Sequence, residues 1–173
     1  TNTLKAFDAV VAGECDIAFL AGASKAQTAK AKAAGADMRF TPIGREAFVF
    51  LASGENPVDG LTVQQVRNVY SGKTSTWRTF GWAEGGDILA FQRHKSSGSQ
   101  SGLEKVMRGL PIAAPRPLPD PSIIGNNSLM EQITVEWKGV RPALGFSYKF
   151  FAETMKPNPG AKMLKINGIA PTT

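Results

Sequence analysis

Cationic and hydroxyl-bearing side chains are concentrated in one short segment near the middle of the chain. Arg93, His94 and Lys95 are followed by Ser97-Gly98-Ser99, immediately ahead of an apolar, helix-like run. Residues of these types could form a nucleophilic serine site, a phosphate loop of the nucleotide-binding type, or a cup of donors for a free oxyanion. Neighbouring residues and their spacing distinguish between these three possibilities.

A serine nucleophile is the first possibility, and the spacing disfavours it. The nucleophile elbow needs serine at the centre of G-x-S-x-G, whereas the segment Gly98-Ser99-Gln100-Ser101-Gly102 has Gln100 there. His94 is the only histidine of the chain and has no carboxylate beside it in the sequence. Because a catalytic triad would have to use this one base, we exclude a serine hydrolase.

A nucleotide-binding loop is the second possibility. The tripeptide Gly72-Lys73-Thr74 has the ending of a P-loop, but the position that should hold the first glycine is Arg67. The tripeptide also follows a predicted helix rather than a strand, so it is typical of a helix end followed by a turn. No G-x-G-x-x-G follows any predicted strand, which excludes the dinucleotide-binding fingerprint as well.

An oxyanion cup is the possibility that the spacing favours. A strand would deliver Arg93, and Ser97 would then cap a helix with Gln100 as its capping-box partner. Gly98 and Ser99 would lie in the first helical turn, where backbone N–H groups and the positive end of the helix dipole face one point. Arginine adds a charged donor beside them.

A second register of this helix stays open. Ser101 and Glu104 form another capping-box pair, which would begin the helix one turn later and move the cup with it. In either register the apolar face of the helix is formed by Leu103, Val106, Met107 and Leu110.

Helix and strand patterns alternate along the chain. Helices are predicted over residues 4–13, after the capping box of Ser24 and Gln27, and after the capping box of Thr62 and Gln65. Strands are predicted over residues 15–21, 38–44, 47–53, 87–93, 143–147 and 162–168. Strands separated by helices indicate an α/β protein with a mainly parallel sheet.

Composition and charge narrow the class of ligand. The 173 residues are 42% hydrophobic and carry a net charge of +6, which suits an anionic partner. Lysine and arginine are scattered rather than clustered, so we do not expect nucleic-acid binding.

No run approaches the roughly 20 apolar residues of a membrane helix. The single Cys15 excludes disulfide and zinc sites within the chain and is predicted to be buried; no metal or other cofactor is expected.

Several motifs together resemble the periplasmic phosphate-binding protein family, the substrate-binding components of phosphate ABC importers. They are NPVDGLTVQQVRNVYSGKTSTWRTFG at residues 56–81, ILAFQRHKSSGSQSGLEKVM at 88–107, ALGFSY at 143–148 and LKINGIAPT at 164–172. The resemblance implies two α/β lobes that are joined by crossing hinge strands and close on the anion. It assigns residues 46–147 to one lobe, and residues 1–45 with 148–173 to the other. The family's opening strand and threonine-rich first helix have no counterpart, so we expect the N-terminal part of that fold to be missing.

The resemblance also implies a set of ligand-binding residues. Arg93 corresponds to the charged clamp on phosphate, and Ser97, Gly98 and Ser99 correspond to the serine–glycine–threonine cup of the family. Thr3 lies where the family places a ligand-facing serine at the start of a helix.

Two positions depart from the family pattern. Lys95 replaces an acidic residue that accepts the proton of hydrogen phosphate, and Ala21 falls near the place of a second acidic ligand. An ammonium group has three donors and no acceptor. Lys95 in the site would therefore favour the least protonated anion.

The sequence predicts a non-enzymatic, monomeric solute-binding protein in the periplasm or at the cell surface. It would bind inorganic phosphate or a similar oxyanion for a membrane ABC permease. An enzyme on the same bilobal scaffold, and a sensor or adhesion protein that has lost transport, stay as alternatives because a fold does not determine a function.

Overall fold

A computed structural model of the chain describes residues 3–20, 22–95, 97–114, 129–136 and 139–172. Its α-helices are α1 (Thr3–Val11), α2 (Lys25–Ala33), α3 (Val63–Tyr70), α4 (Gly98–Met107) and α5 (Leu129–Gln132), with a 3-10 turn at Trp77–Phe80 and a π-helical segment at Phe151–Met155. Its strands are β1 (Phe48–Ser53), β2 (Gly60–Leu61), β3 (Leu89–Ala90), β4 (Ala143–Tyr148), β5 (Ala161–Met163) and β6 (Lys165–Ile166). This mixture of helices and strands confirms the predicted α/β class.

The described residues group into two compact units. The N-terminal unit is drawn from Thr1–Arg45 and Arg93–Lys105, and the sheet unit is drawn from Glu46–Gln92 and Val106–Thr173. The change of unit after Arg45 coincides with a predicted lobe boundary. The units group residues 93–105 and 148–173 differently from the predicted lobes, and the lobe division of the complete fold stays a prediction.

Capping boxes begin two of the helices, as the sequence predicts. Ser24 accepts the N–H of Gln27 and Gln27 accepts the N–H of Ser24 at the start of α2. Thr62 and Gln65 make the same reciprocal pair at the start of α3. These bonds satisfy N–H groups that have no partner within a helix.

The sheet unit contains a four-stranded sheet of order β3-β4-β1-β5 and a separate parallel pair of β2 with β6. β3 and β4 are parallel, whereas β1 is antiparallel to both β4 and β5. Three strands therefore run in one direction, with β1 reversed among them. The sheet is mixed, which corrects the expectation of a mainly parallel one. β1 is almost wholly buried, and a continuous apolar run does not distinguish a parallel from an antiparallel neighbour.

Both faces of β1 are covered. Val49 and Leu51 belong to an apolar cluster that includes Ile133 of the segment after α5. On alternate residues, the rings of Phe48 and Phe50 lie 5.6 Å apart, edge to face, and continue into an aromatic group. Such pairs stabilise a sheet beyond the area that they bury.

Trp77 binds the backbone of Pro142, the residue immediately before β4. Its side chain is fully buried, and its Nε1 donates to the carbonyl of Pro142 at 2.7 Å. The same carbonyl accepts the N–H of Leu89 at 3.2 Å. Trp77 thus joins the 3-10 turn to the chain where β3 and β4 begin to pair.

Two predicted strands are absent from the described residues of the N-terminal unit. The described parts of 15–21 and 38–44 form no strand, and Ile17, Phe19 and Ile43 are 75%, 79% and 77% exposed. Cys15 is exposed rather than buried. Apolar content predicts a strand only where a neighbouring strand pairs with it, and none of the described residues does so here.

Candidate functional site

The segment that contains Arg93 follows a short strand. β3 ends at Ala90, and the N–H of Phe91 still donates to the carbonyl of Leu144 at 2.9 Å. The predicted strand over 87–93 is thus reduced to two ladder residues, with an isolated bridge from Asp87 to Thr76 before them and the bond of Phe91 after them. Arg93 lies two residues after Phe91, and its side chain is exposed.

A tight turn connects Arg93 to helix α4. The N–H of Ser97 donates to the carbonyl of His94 at 2.8 Å, which closes the turn around Lys95. The carbonyl of Ser97 then accepts the first bond of the helix, from the N–H of Ser101 at 3.2 Å. The helix therefore begins in the Ser97 register, and the alternative with Ser101 as its N-cap is wrong.

Gln100 holds the turn closed from the helix side. Its Oε1 accepts the backbone N–H of Arg93 at 2.9 Å, and the residue is only 5% exposed. The sequence predicts that Gln100 accepts the N–H of Ser97, but that N–H donates to the carbonyl of His94 instead. Gln100 thereby connects the clamp candidate Arg93 to the first turn of α4.

Most of the apolar face of α4 is buried as predicted. Leu103 and Met107 are buried and Val106 is partly buried, whereas Leu110 lies beyond the helix and is 40% exposed. Leu103, the residue of this apolar face nearest to the first turn, is fully buried.

The charge around the turn is positive. Arg93 and Lys95 are exposed, and Ser97, Gly98 and Ser99 are partly buried. No acidic residue occurs between Asp87 and Glu104. This stretch therefore combines hydroxyl groups, the first turn of α4 and two exposed cationic side chains, and its own sequence contains no carboxylate.

The remaining candidate residues lie elsewhere in the chain. Thr3 is the first residue of α1, as the sequence predicts for a residue at a helix start, and it is partly buried. Its contribution to ligand binding stays a prediction, as do those of Arg93, Lys95 and Ser97-Gly98-Ser99. Ala21 lies outside the described residues.

The described residues hold neither a candidate metal cluster nor a membrane-spanning helix. The described ranges contain no group of three or more His, Cys, Asp or Glu side chains that could hold a metal ion. They also contain no helix with the length and apolar content needed to cross a membrane.

Comparison with known proteins gives one sequence match and several structural ones. The sequence pattern of the PBP superfamily domain matches residues 1–161. No curated protein matches the sequence significantly. Among solved structures, a Clostridium perfringens protein assigned as a phosphate ABC transporter substrate-binding protein, with bound phosphate, superposes with a TM-score of 0.70 at 18% identity. An ABC-type phosphate transport receptor from Vibrio cholerae gives 0.62 at 16% identity, and PstS from Borrelia burgdorferi gives 0.56 at 16%.

These structures are longer than the present chain. The first two matches cover 98% of this chain but only 63% and 64% of the solved chains. The sequence thus spans somewhat less than two thirds of the length of these solved chains. At these identities the superpositions establish the fold and leave the ligand to be argued from the site.

Proposed function

We propose, from the premise that this chain belongs to the PBP superfamily, that it binds phosphate or a similar oxyanion for import by an ABC transporter. Membership of the superfamily and the fold of the solved receptors confirm the resemblance found in the sequence. The ligand, the importer and the location outside the cytoplasmic membrane are our inference.

The observation that carries the proposal is the connection between Arg93 and α4. The Gln100 side chain holds the backbone of Arg93 at 2.9 Å, next to the helical turn that presents Ser97 and Ser99. The first bond of the helix starts from Ser101, so the N–H of Ser99 precedes the helical ladder. A cation, two hydroxyl groups and a helix N-terminus are donors that suit a small oxyanion.

Phosphate is the first candidate among oxyanions. The solved structures with this fold include a receptor with bound phosphate and an ABC-type phosphate transport receptor. We infer that this chain binds phosphate as well, and the positive charge of the turn supports this inference.

We infer that the protein binds without catalysing a reaction, as a monomer, and presents the anion to a membrane permease from the periplasm or the cell surface. A net charge of +6 favours the encounter with an anion. We infer no nucleic-acid partner because the cations do not form a continuous stripe.

Arg93 should dominate the affinity for the anion. A charge-assisted hydrogen bond contributes about 1.5–3 kcal/mol, so Arg93→Ala should weaken phosphate binding about tenfold or more. Isothermal titration calorimetry with inorganic phosphate on both proteins measures the difference.

Arg39→Ala is the matched control, because Arg39 is also an exposed arginine of the N-terminal unit and is not a candidate ligand. It should bind phosphate as the wild type does. Equal affinity of wild type and Arg93→Ala would remove Arg93 from the site.

Lys95 should determine which anion is preferred. Its ammonium group offers donors only, so sulfate and the phosphate dianion should compete on similar terms. The affinity for phosphate should rise between about pH 6 and 8, because inorganic phosphate loses its second proton within this range and the dianion gains population as the pH rises. Competition calorimetry with sulfate, repeated across this pH range, measures both effects.

The affinity for sulfate is the internal control, since sulfate does not change its charge in this range. Lys95→Asp should restore preference for phosphate over sulfate, because a carboxylate accepts the proton of hydrogen phosphate and is left facing an acceptor when sulfate binds. If sulfate cannot displace phosphate from the wild type even at about a hundredfold excess, the site contains a matching acceptor and Lys95 does not select the anion.

A further inference from the structure

Three helices of this chain begin with the same spacing, a hydroxyl residue followed three positions later by a glutamine. The pairs are Ser24 with Gln27, Thr62 with Gln65, and Ser97 with Gln100. In α2 and α3 the glutamine Oε1 accepts the backbone N–H of the hydroxyl residue itself, at 2.8 and 2.6 Å. These two glutamines therefore only complete the start of their own helix.

The third glutamine has a different partner. Gln100 accepts the N–H of Arg93 at 2.9 Å, four residues before Ser97. The N–H of Ser97, which a capping box would have offered to Gln100, instead donates to the carbonyl of His94 at 2.8 Å. The turn between Arg93 and Ser97 thus leaves the acceptor of Gln100 available to the residue that carries the guanidinium group.

The environment of this bond makes it a firm attachment. Gln100 is 5% exposed, and it lies in the helical turn before the fully buried Leu103. The Arg93 side chain, in contrast, is exposed. A buried side chain from the helix therefore fixes the backbone from which a long, flexible and exposed cation extends.

We propose that Gln100 is a positioning residue for the oxyanion site, which holds the Arg93 backbone against the N-terminal turn of α4. This rests on the proposed function, because Arg93 has a ligand only if an oxyanion binds there. Fixing the backbone of a ligand residue before binding reduces the conformational freedom that binding must remove. Without the bond, the guanidinium group would search a larger volume and meet the anion less often in the right geometry.

Gln100→Leu is the first test, because leucine keeps an apolar side chain of similar bulk and removes the acceptor. We expect phosphate affinity to fall by about two- to tenfold, the range that corresponds to one net hydrogen bond. Gln27→Leu is the matched control: Gln27 is similarly buried and also accepts a backbone N–H, but its partner is Ser24. It should lower stability by a similar amount and leave the phosphate affinity unchanged.

A double-mutant cycle separates positioning from a general loss of structure. In the Arg93→Ala background there is no guanidinium group to position, so adding Gln100→Leu should change the phosphate affinity little further. The proposal would be overturned if Gln100→Leu lowered the affinity equally in the wild type and in Arg93→Ala. It would also be overturned if Gln100→Leu did not lower the affinity in the wild type.

A second measurement on the wild type needs no variant. The bond predicts slow hydrogen exchange at the Arg93 amide compared with an ordinary surface-loop amide, measured by NMR. Fast exchange at this amide would overturn the attachment even if Gln100→Leu failed to fold. If the wild type binds neither phosphate nor sulfate, the proposed function fails, which is a distinct outcome because the protection of the Arg93 amide can still be observed.

Discussion

Trp77→Ala should lower the free energy of unfolding by about 3–5 kcal/mol, the usual cost of removing a large buried aromatic side chain. The loss has two sources. The alanine leaves a cavity where a fully buried indole had packed, and the carbonyl of Pro142 loses the 2.7 Å bond from Nε1. Urea denaturation followed by circular dichroism measures the change without relying on tryptophan fluorescence.

Two further variants divide this loss into its parts. Trp77→Phe keeps an aromatic ring and removes the donor; because Leu89 still donates to Pro142, it should cost much less than alanine. Phe150→Ala, at a site that is 56% exposed, should change the stability by about 0.5 kcal/mol or less. A Trp77→Ala protein as stable as the Phe150→Ala control would show that the packing of Trp77 and its bond to Pro142 do not stabilise the fold.

The second large effect should come from one added methyl group in β4. Gly145 lies opposite Leu51 of β1, and a Cβ at this position would overlap the Cδ1 of Ile133 and lie 3.1 Å from the Cδ2 of Leu129. Both neighbours are buried, with Ile133 0% and Leu129 4% exposed, so any shift of their side chains takes place within the core. Overpacking of a filled core costs about 1–3 kcal/mol, so Gly145→Ala should destabilise the protein by this amount, measured by urea denaturation.

Ile133→Val provides the test of this cause, since it removes the Cδ1 atom that the new methyl group would meet. In the Ile133→Val background, Gly145→Ala should cost less than in the wild type, with a coupling of about 0.5 kcal/mol or more. Gly44→Ala is the control, because a Cβ there would meet no atom within 4 Å. Strict additivity of the Gly145 and Ile133 changes would contradict the packing explanation.

The local features of the fold could be predicted from the sequence, because they depend on neighbours within a few residues. The capping boxes at Ser24 and Thr62 are examples, and the start of α4 next to Ser97 is another. Gln100 shows the limit of such patterns. Its spacing from Ser97 predicts a capping box, but two backbone N–H groups lie within its reach, and the turn at His94 determines which one it binds.

Features that depend on distant strands could not be predicted in the same way. Ile17 and Phe19 belong to an apolar run that predicts a short buried strand, yet they are exposed, because pairing requires a neighbouring strand that the pattern does not specify. The reversed direction of β1 has the same origin. Its apolar run fits either orientation, and the choice depends on how β4 and β5 reach it. For the candidate site, residue types and spacing indicated a donor-rich turn suited to an oxyanion, and only the resemblance suggested phosphate.

The central position of β1 has a consequence for the order in which this protein can assemble during synthesis. Phe48 pairs with Tyr148, so β1 leaves the ribosome one hundred residues before its partner is complete. At about 5–20 residues per second, this leaves the strand without β4 for roughly 5–20 s. Val49, Phe50 and Leu51, all buried in the folded chain, are exposed for that time as a short, uncharged segment of high strand propensity. Residues 48–53 therefore offer apolar side chains and unpaired strand edges to other nascent chains until translation has passed β4.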